Sequence, residues 1–562
     1  MCGLRFALLL LWSAGALAAP GADALDAARR LGDAGMLELA LNRVEQSQSR
    51  AAAAPTWAEW EALRLDLLLR NGRHGEVLQR AAVLPAEMPA AFLRASLAVA
   101  ARAAMAAGDG KSARQYAARI LWQSDVPAAD ARDARLRVIE SLAADKMGDD
   151  AFRSMLRFQQ DYRPLAPDIA ALFVETLIEL GMPKEAVYWL GSLDESGPAR
   201  QLLRLRTGQL SADAAIAQAR AMLTKRNSRG YWRVIEQAAL LKQDHALHIE
   251  AQENLLHLGD AANPQRLAAQ SRALWRTYLD VAREAGNHNH LLMGDDAGWA
   301  DFAARRLGSH ASSARALFAY LAHHGQTHEA RHNAHLQLVF SLETDRLELA
   351  ALRLYQHAAP AFGMIDAQTR YLLGAIAESH NLPALAQQFW QDLSAPPNVG
   401  GDEWRLRTGA ATLRSGAQAA AAAALKQVIN TVSTLPAASL KRCVALAQDL
   451  FDAGYPDSAR QIFEAVLPVA DAALMRTALF GLGNVHETQG RPQTAADYYL
   501  RAALPADRRA PDALALRARL LAALSLARAG QREDARAQFE WLIKNSKDPK
   551  QAEFVRQELK KL

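Results

Sequence analysis

Along most of the chain, apolar residues recur at three- and four-residue intervals with polar residues between them. That is the period of a helix burying one face. The apolar runs come in pairs. Asp26–Leu31 and Met36–Val44 flank Gly35, Glu59–Leu69 and Gly75–Leu84 flank Asn71-Gly72, and Ala91–Ala107 and Ala113–Leu121 flank Gly108. After Pro164 and Pro167, Ala170–Leu180 and Lys184–Leu193 flank Gly181 in the same way. Glycine or asparagine closes the first run each time, because the left-handed turn there suits a residue without Cβ or with a short polar side chain. Runs of β-branched residues alternating with polar ones, the mark of strands, are nearly absent. The pattern predicts an all-α chain of antiparallel helix pairs.

The phasing is uneven. Between Ser211 and Ser313, Tyr231–Leu241 pairs with Ala246–Leu258, Gln270–Ala285 awaits a later partner, and Gly286–Ala297 reads as a longer loop. Clear phase returns at Gly325 with Ala330 and continues through Tyr371–Ser379, Asn381 and Ala384–Leu393. Ser394–Gly401 (SAPPNVGG) is the strongest breaker, since two prolines disfavour helix and the glycines free the backbone. It is expected to be a hinge or a long loop between repeats. The alanine run Ala417–Ala424, followed by Leu425 and Val428, predicts a thin helix packed close to its neighbours.

The last third is the most regular. Leu446-Ala447, Gly454, Ala459 and Phe463 form one unit; Leu482-Gly483, Gly490, Ala495 and Tyr499 the next; Ala522-Ala523, Gly530, Ala535 and Phe539 a third. Periods of this kind mean stacked helical hairpins, each too small to stand alone. The spacing resembles the tetratricopeptide repeat family, strongly over Lys441–Leu542 and partially elsewhere: Leu479, Leu482-Gly483, Ala495, Tyr499, Ala502 and Pro505 fit, with His486 where tyrosine is usual. Gly483 and Ala495 are expected to be small because two helices touch there. The resemblance implies an α-solenoid, a right-handed superhelix of helix pairs, whose concave face is built mainly by the first helix of each pair. It places Val444, Gln448, Phe480, Asn484, Arg517, Leu520 and Leu524 on that face, facing a protein or peptide partner. Some members of the family clamp a peptide carboxylate with lysines and asparagines; here Asn484 is present, but Phe480 and Leu520 stand where lysine is wanted. An apolar-plus-amide surface points instead to a helix or an extended apolar segment as ligand.

Composition agrees and adds little. Hydrophobic residues make up 51% and aromatics 7%, so alanine and leucine, both good helix formers, carry the apolar content. A net charge of +5 over 562 residues does not indicate nucleic acid. The N-terminus reads as a secretory signal, with Arg5, the apolar stretch Phe6–Trp12 and a cleavage site at Ala16-Leu17-Ala18. The apolar stretch is far short of the about 20 residues that span a bilayer. The expected organisation is a signal peptide over 1–18, divergent repeats over 19–393, a hinge or loop over 394–401 and a regular repeat domain over 402–562. The mature chain would then be periplasmic, without a membrane span or lipid anchor. Cys443 would be its only thiol, buried on an apolar helix face.

Three segments resemble chemical motifs. His328-Glu329-Ala330-Arg331-His332 fits H-E-x-x-H, in which two imidazoles on one helix face hold zinc beside a glutamate base, with His335 one turn further and His323 and His324 nearby. Gly325 and Ala330 already have the repeat's turn spacing, which predicts a solvated helix face. Gly108-Asp109-Gly110-Lys111-Ser112 resembles the end of a phosphate loop. Met105 stands where that motif needs glycine, and a helix precedes it where a strand is required. His288-Asn289-His290 with Asp295 and Asp296 has metal-ligand chemistry in a short polar loop. No serine elbow or cysteine–histidine arrangement is present. The basic tail, Lys544, Lys547, Lys550, Lys560 and Lys561, reads as a solvated helix end, and Trp189, Trp275 and Trp390 as core. The sequence therefore predicts a non-enzymatic periplasmic scaffold without metal or cofactor. Two alternatives remain at this point: a component of envelope polysaccharide export or secretion, working with an outer-membrane partner, and a zinc peptidase using the His328–His332 segment.

Overall fold

The computed structural model describes residues 20–259, 264–285, 295–308, 310–358, 365–504, 511–546 and 548–562. The signal segment 1–18, the His288–His290 group, Pro505 and Lys547 lie outside the described residues. Everything regular that is described is helical. The chain divides into two compact units, residues 1–67 with 380–562 and residues 68–379, the first boundary falling within one helix.

The first unit holds both ends of the chain. At the N-terminal end are α1 (Pro20–Asp33), α2 (Leu37–Ser47) and the first part of α3 (Trp57–Arg70). The second unit holds the rest of α3 and the helices α4 (His74–Ala82), α5 (Ala90–Ala106), α6 (Gly110–Leu121), α7 (Ala128–Ala144), α8 (Gly148–Asp161) and α9 (Pro167–Glu179). It continues with α10 (Pro183–Ala186), extended by a 3₁₀ turn, then α11 (Pro198–Arg206), α12 (Ala212–Leu223), α13 (Arg229–Lys242), α14 (His245–Leu258) and α15 (Pro264–Ala285). It closes with α16 (Asp296–Arg306), α17 (Ala311–His324), α18 (His328–Thr344), α19 (Glu348–Ala358) and α20 (Ala367–Ser379). The remainder of the first unit is α21 (Pro383–Trp390), α22 (Gly401–Arg414), α23 (Gln418–Thr431), α24 (Ala437–Asp452), α25 (Pro456–Val466), α26 (Ala472–Thr488), α27 (Pro492–Ala502), α28 (Ala513–Arg528), α29 (Arg532–Asn545) and α30 (Pro549–Leu559).

The regular hairpins follow tetratricopeptide-like rules. From α22 to α29 each second helix packs on its own first helix, and α25 and α27 also pack on the first helix of the next pair. First helices touch one another from α22 to α24 to α26. Small residues sit where helices meet. A Cβ on Gly483 would enter the Tyr499 ring, and one on Gly481 the Phe463 ring. In the alanine-rich pair, a Cβ on Gly409 would come within 2.8 Å of Val428, the close approach expected there. Asp471 and Asp512 accept backbone N–H bonds from Leu474 and Ala515 at 2.8 and 2.7 Å, capping α26 and α28.

Ser394–Gly400 is a loop, and the helices on either side of it pack together. Trp390 and Trp404 meet edge to face at 5.3 Å, and the Trp404 indole donates to the Leu393 carbonyl at 3.1 Å.

The second unit runs as helix pairs through α14 and then changes plan. The long α15 packs on α17 and α19, and α14 also reaches both, so the later partner expected for Gln270–Ala285 is present. A buried ionic cluster fixes this junction. Glu253 on α14 and Arg315 on α17 are 0% and 2% exposed. The Arg315 guanidinium grips Glu253 through two nitrogens, one bond at 2.7 Å. Tyr278 on α15 donates to the same carboxylate at 2.7 Å, and Arg315 continues to Ser341 at 3.1 Å and Asp345 at 2.6 Å. Geometry this complete is what lets a buried pair offset its desolvation.

Candidate functional site

In the first unit the first-helix surface centres on α26 and α28. Phe480 is half-buried, its ring 5.6 Å from that of Tyr499 and beneath the Arg517 guanidinium at 5.5 Å. Asn484, one turn on, accepts the Tyr499 hydroxyl proton at 2.8 Å. Burial raises the pKa of that phenol well above its ordinary range, and the bond fixes the Asn484 amide through its oxygen. Arg517 is exposed, while Leu520 and Leu524 are half-buried and pack partly on the core of the last hairpin. Arg476 braces the site from below. It makes a two-pronged ion pair with Asp512 at 2.7 and 2.8 Å and donates to the Ala502 carbonyl at 2.9 Å. The result is a ring, a guanidinium and an amide on a preorganised scaffold.

Two residues assigned to this face have other duties. Val444 is 6% exposed, its side chain drawn into the core that holds Cys443, Leu446 and Ala447. Gln448 donates to Asp452 at 3.3 Å, beside the N-terminal helices.

The second unit has a first-helix recess that sequence reasoning missed. Ile178 and Glu179 on α9, Leu202 and Arg206 on α11, and Arg233, Glu236 and Gln237 on α13 line a cavity of about 240 Å³. Arg233 pairs with Glu175 at 2.8 Å and with Glu179, which Arg266 also reaches, while Arg206 donates to Gln237 at 3.1 Å. Burial pushes the Glu175 and Glu236 carboxyls above the usual range, against the pull of Arg233. The recess is polar and largely self-neutralised, unlike the surface of α26 and α28, where a ring and two leucines stand beside the exposed Arg517.

The motif-like segments are accounted for locally. Along α18 one stripe runs from solvent into the core. His328 is exposed and 3.0 Å from an Arg331 nitrogen; its ring centre is 6.0 Å from that of His332, whereas His335 is 1% exposed and 3.0 Å from the Tyr355 hydroxyl. A metal at His328 and His332 would lack the third imidazole. Asp295 caps α16 through the Gly298 N–H at 2.8 Å. Asp296 caps the entry to α18, accepting from the Gln326 and Thr327 backbones at 3.0 and 2.8 Å. α16 thus begins inside the expected 286–297 loop. Gly108, at φ +79°, closes α5, and Asp109 caps α6 by accepting from Ser112 N at 2.9 Å, a helix junction rather than a phosphate cradle. Cys443 is fully buried and its thiol pushed up to about 12 by burial, which makes it inert. Among the described residues, no three histidine, cysteine or acidic side chains converge as metal ligands, and no helix is long and apolar enough to cross a membrane.

No protein-family model matches the chain, and no curated protein matches it. Among solved structures it is similar to a chain of the APC/C hetero-tetramer Cut9–Hcn1, at 12% identity over 91% of this chain and 96% of that one, with a TM-score of 0.31. It is similar to yeast Tom70 at 10% identity over 96% and 95%, TM-score 0.24, and to a chain of Naa15/Naa10 bound to HypK at 14% over 97% and 100%, TM-score 0.20. None of the three superposes closely, and the function of this chain has to be read from its own residues.

Proposed function

We propose that this chain is a non-enzymatic interaction scaffold of the periplasm, binding a protein segment on the first-helix surface of α26 and α28. The reading rests on the Phe480–Arg517–Asn484 group. A half-buried aromatic, a guanidinium over its ring and an amide held by its oxygen form the kind of surface that dominates protein recognition. Its support is rigid: the Tyr499–Asn484 bond and the Arg476–Asp512 pair hold the elements before any ligand arrives, so little ordering entropy is lost on binding. The apolar character favours an amphipathic helix or extended apolar segment over a peptide carboxylate. The periplasmic placement rests on the N-terminal signal pattern.

The test is a photo-crosslinking residue in place of the neighbouring Leu520, in the full chain expressed in its own cells, followed by identification of the captured protein. A specific adduct that is lost in Phe480→Ala, while the same label at exposed Arg153 captures nothing, supports the reading. Equal capture at both positions overturns it. N-terminal sequencing of the purified protein checks export, with a start at Ala19 expected.

A further inference from the structure

The N-terminal hairpin lies on the repeats of its own unit. Its turn and second helix cross three successive hairpin turns in order. A Cβ on Gly35 would collide with the Asn381 carbonyl; one on Gly416 would lie 2.6 Å from Glu38 Cβ; one on Gly454 would lie 2.5 Å from Arg43 Nη1 and collide with Gln46. From Glu38 to Gln46 the helix rises about 12 Å at 1.5 Å per residue, close to the spacing of neighbouring packed helices. Arg30 on α1 pairs with Asp452 at 3.3 Å. The same Asp452 accepts from Gln448, one of the residues the repeat pattern places on the binding face. Leu25, Ala28, Leu31, Leu39, Ala40 and Val44 are all buried in this arrangement. Beyond Gly454 the cover stops: nothing lies within 4 Å of a Cβ built on Gly490 or Gly530.

We infer that α1–α2 is a strap bound in cis along the turn edge of the hairpins from α21 to α25, reserving the end of α24 and leaving only α26 and α28 open to a partner. The surface beneath it ends in two acids, Asp452 and Asp449, the latter gripped by Arg414 at 2.8 Å, and both carboxyls are pushed up by burial. Its matching ligand is an amphipathic helix bearing arginines, which the strap supplies through Arg30 and Arg43. Two features make the strap exchangeable. The Arg43 Nε is buried without a hydrogen-bond partner, a cost that withdrawal removes. The tether after α2, Ser49 to Thr56, is half alanine and forms no helix, so a released strap stays attached.

A protease site placed within residues 50–55 of the full chain allows the tether to be cut without deleting anything. After cleavage, a fluorescein-labelled synthetic peptide of residues 20–48 is added and its incorporation followed by anisotropy. Exchange of the cut strap for the peptide is expected under native conditions, with Arg30→Glu/Arg43→Glu peptide competing at least about tenfold less well. No exchange short of global unfolding would make the hairpin a permanent part of the core and overturn the inference. Equal competition by the charge-reversed peptide would overturn the role of the acidic edge. Neither result depends on identifying a partner for α26 and α28.

Discussion

The hairpins α22–α23 and α24–α25 and the hairpins α26–α27 and α28–α29 share one repeat plan, yet they live in different surroundings. Their turn glycines have nearly the same backbone, at φ +75° and +85° in the first two and +71° and +78° in the second two. In the first two, α2 presses on the turn; in the second two, the turn faces open space. A single sequence signal therefore serves two physical demands. At Gly490 and Gly530 glycine is needed for a left-handed conformation alone. At Gly416 it is needed for that and for the approach of the α2 backbone, whereas at Gly454 α2 brings only the flexible ends of Arg43 and Gln46 over the turn.

Substitution at these glycines separates the two environments most directly. Gly416→Ala should cost about 3 kcal/mol, the left-handed penalty together with overpacking against Glu38 Cβ and the Leu39 backbone. Gly490→Ala should cost only about 1 kcal/mol, from the backbone penalty. Urea unfolding of the two variants reads the difference, and equal losses would remove the distinction between covered and open turns.

Acid should separate the same two regions in sign. His486, in the open region, stacks on Tyr498 at 5.2 Å and is buried, which lowers its pKa. The unfolded chain then takes up a proton that the folded chain resists, so this contribution is full above about pH 6.5 and is lost as pH falls below it. Asp449 and Asp452, under the strap, have raised values, so the folded state binds their protons more readily and acidification favours it. His486→Tyr should therefore flatten the loss of stability between about pH 7 and pH 5, measured by thermal unfolding across that range. The smallest effect is expected at Arg517→Ala. Its stacked, exposed guanidinium contributes about 0.5 kcal/mol to stability, while capture of a partner by a label at the neighbouring Leu520 should fall several-fold.

Much of the fold was legible because it is local. Glycine at a turn, a small residue where helices touch and an aromatic one turn on are demands within a single hairpin, and Gly483 with Tyr499 meets them as the pattern expects. The uneven phasing of the middle has an equally local cause. Gln243 occupies a left-handed turn position at φ +55°, where no glycine marks the turn for a reader of the sequence, and Lys146 and Arg346 do the same on either side of that stretch. What was not legible is long-range. Nothing in α1 or α2 announces that Arg30 will meet Asp452, and nothing near Glu253 points to Arg315. Val444 shows the limit at the expected face: the repeat spacing puts it on the outward side of its helix, but the side chain is drawn into the core. The histidines of α18 show another, since helical periodicity gives them one stripe but not the depth at which each lies.

The strap also bears on how the chain is made. α1 and α2 are synthesised first, but the turns they cover, Gly416 and Gly454, appear roughly 400 residues later, on the order of 20–80 s at ordinary elongation rates. Through that interval α1 and α2 lack the turns that they cover in the finished chain. Chains stopped before Gly454 would carry an unsheltered apolar hairpin at their front end, which makes the N-terminus a natural place for chaperones and quality-control proteases to distinguish finished molecules from unfinished ones.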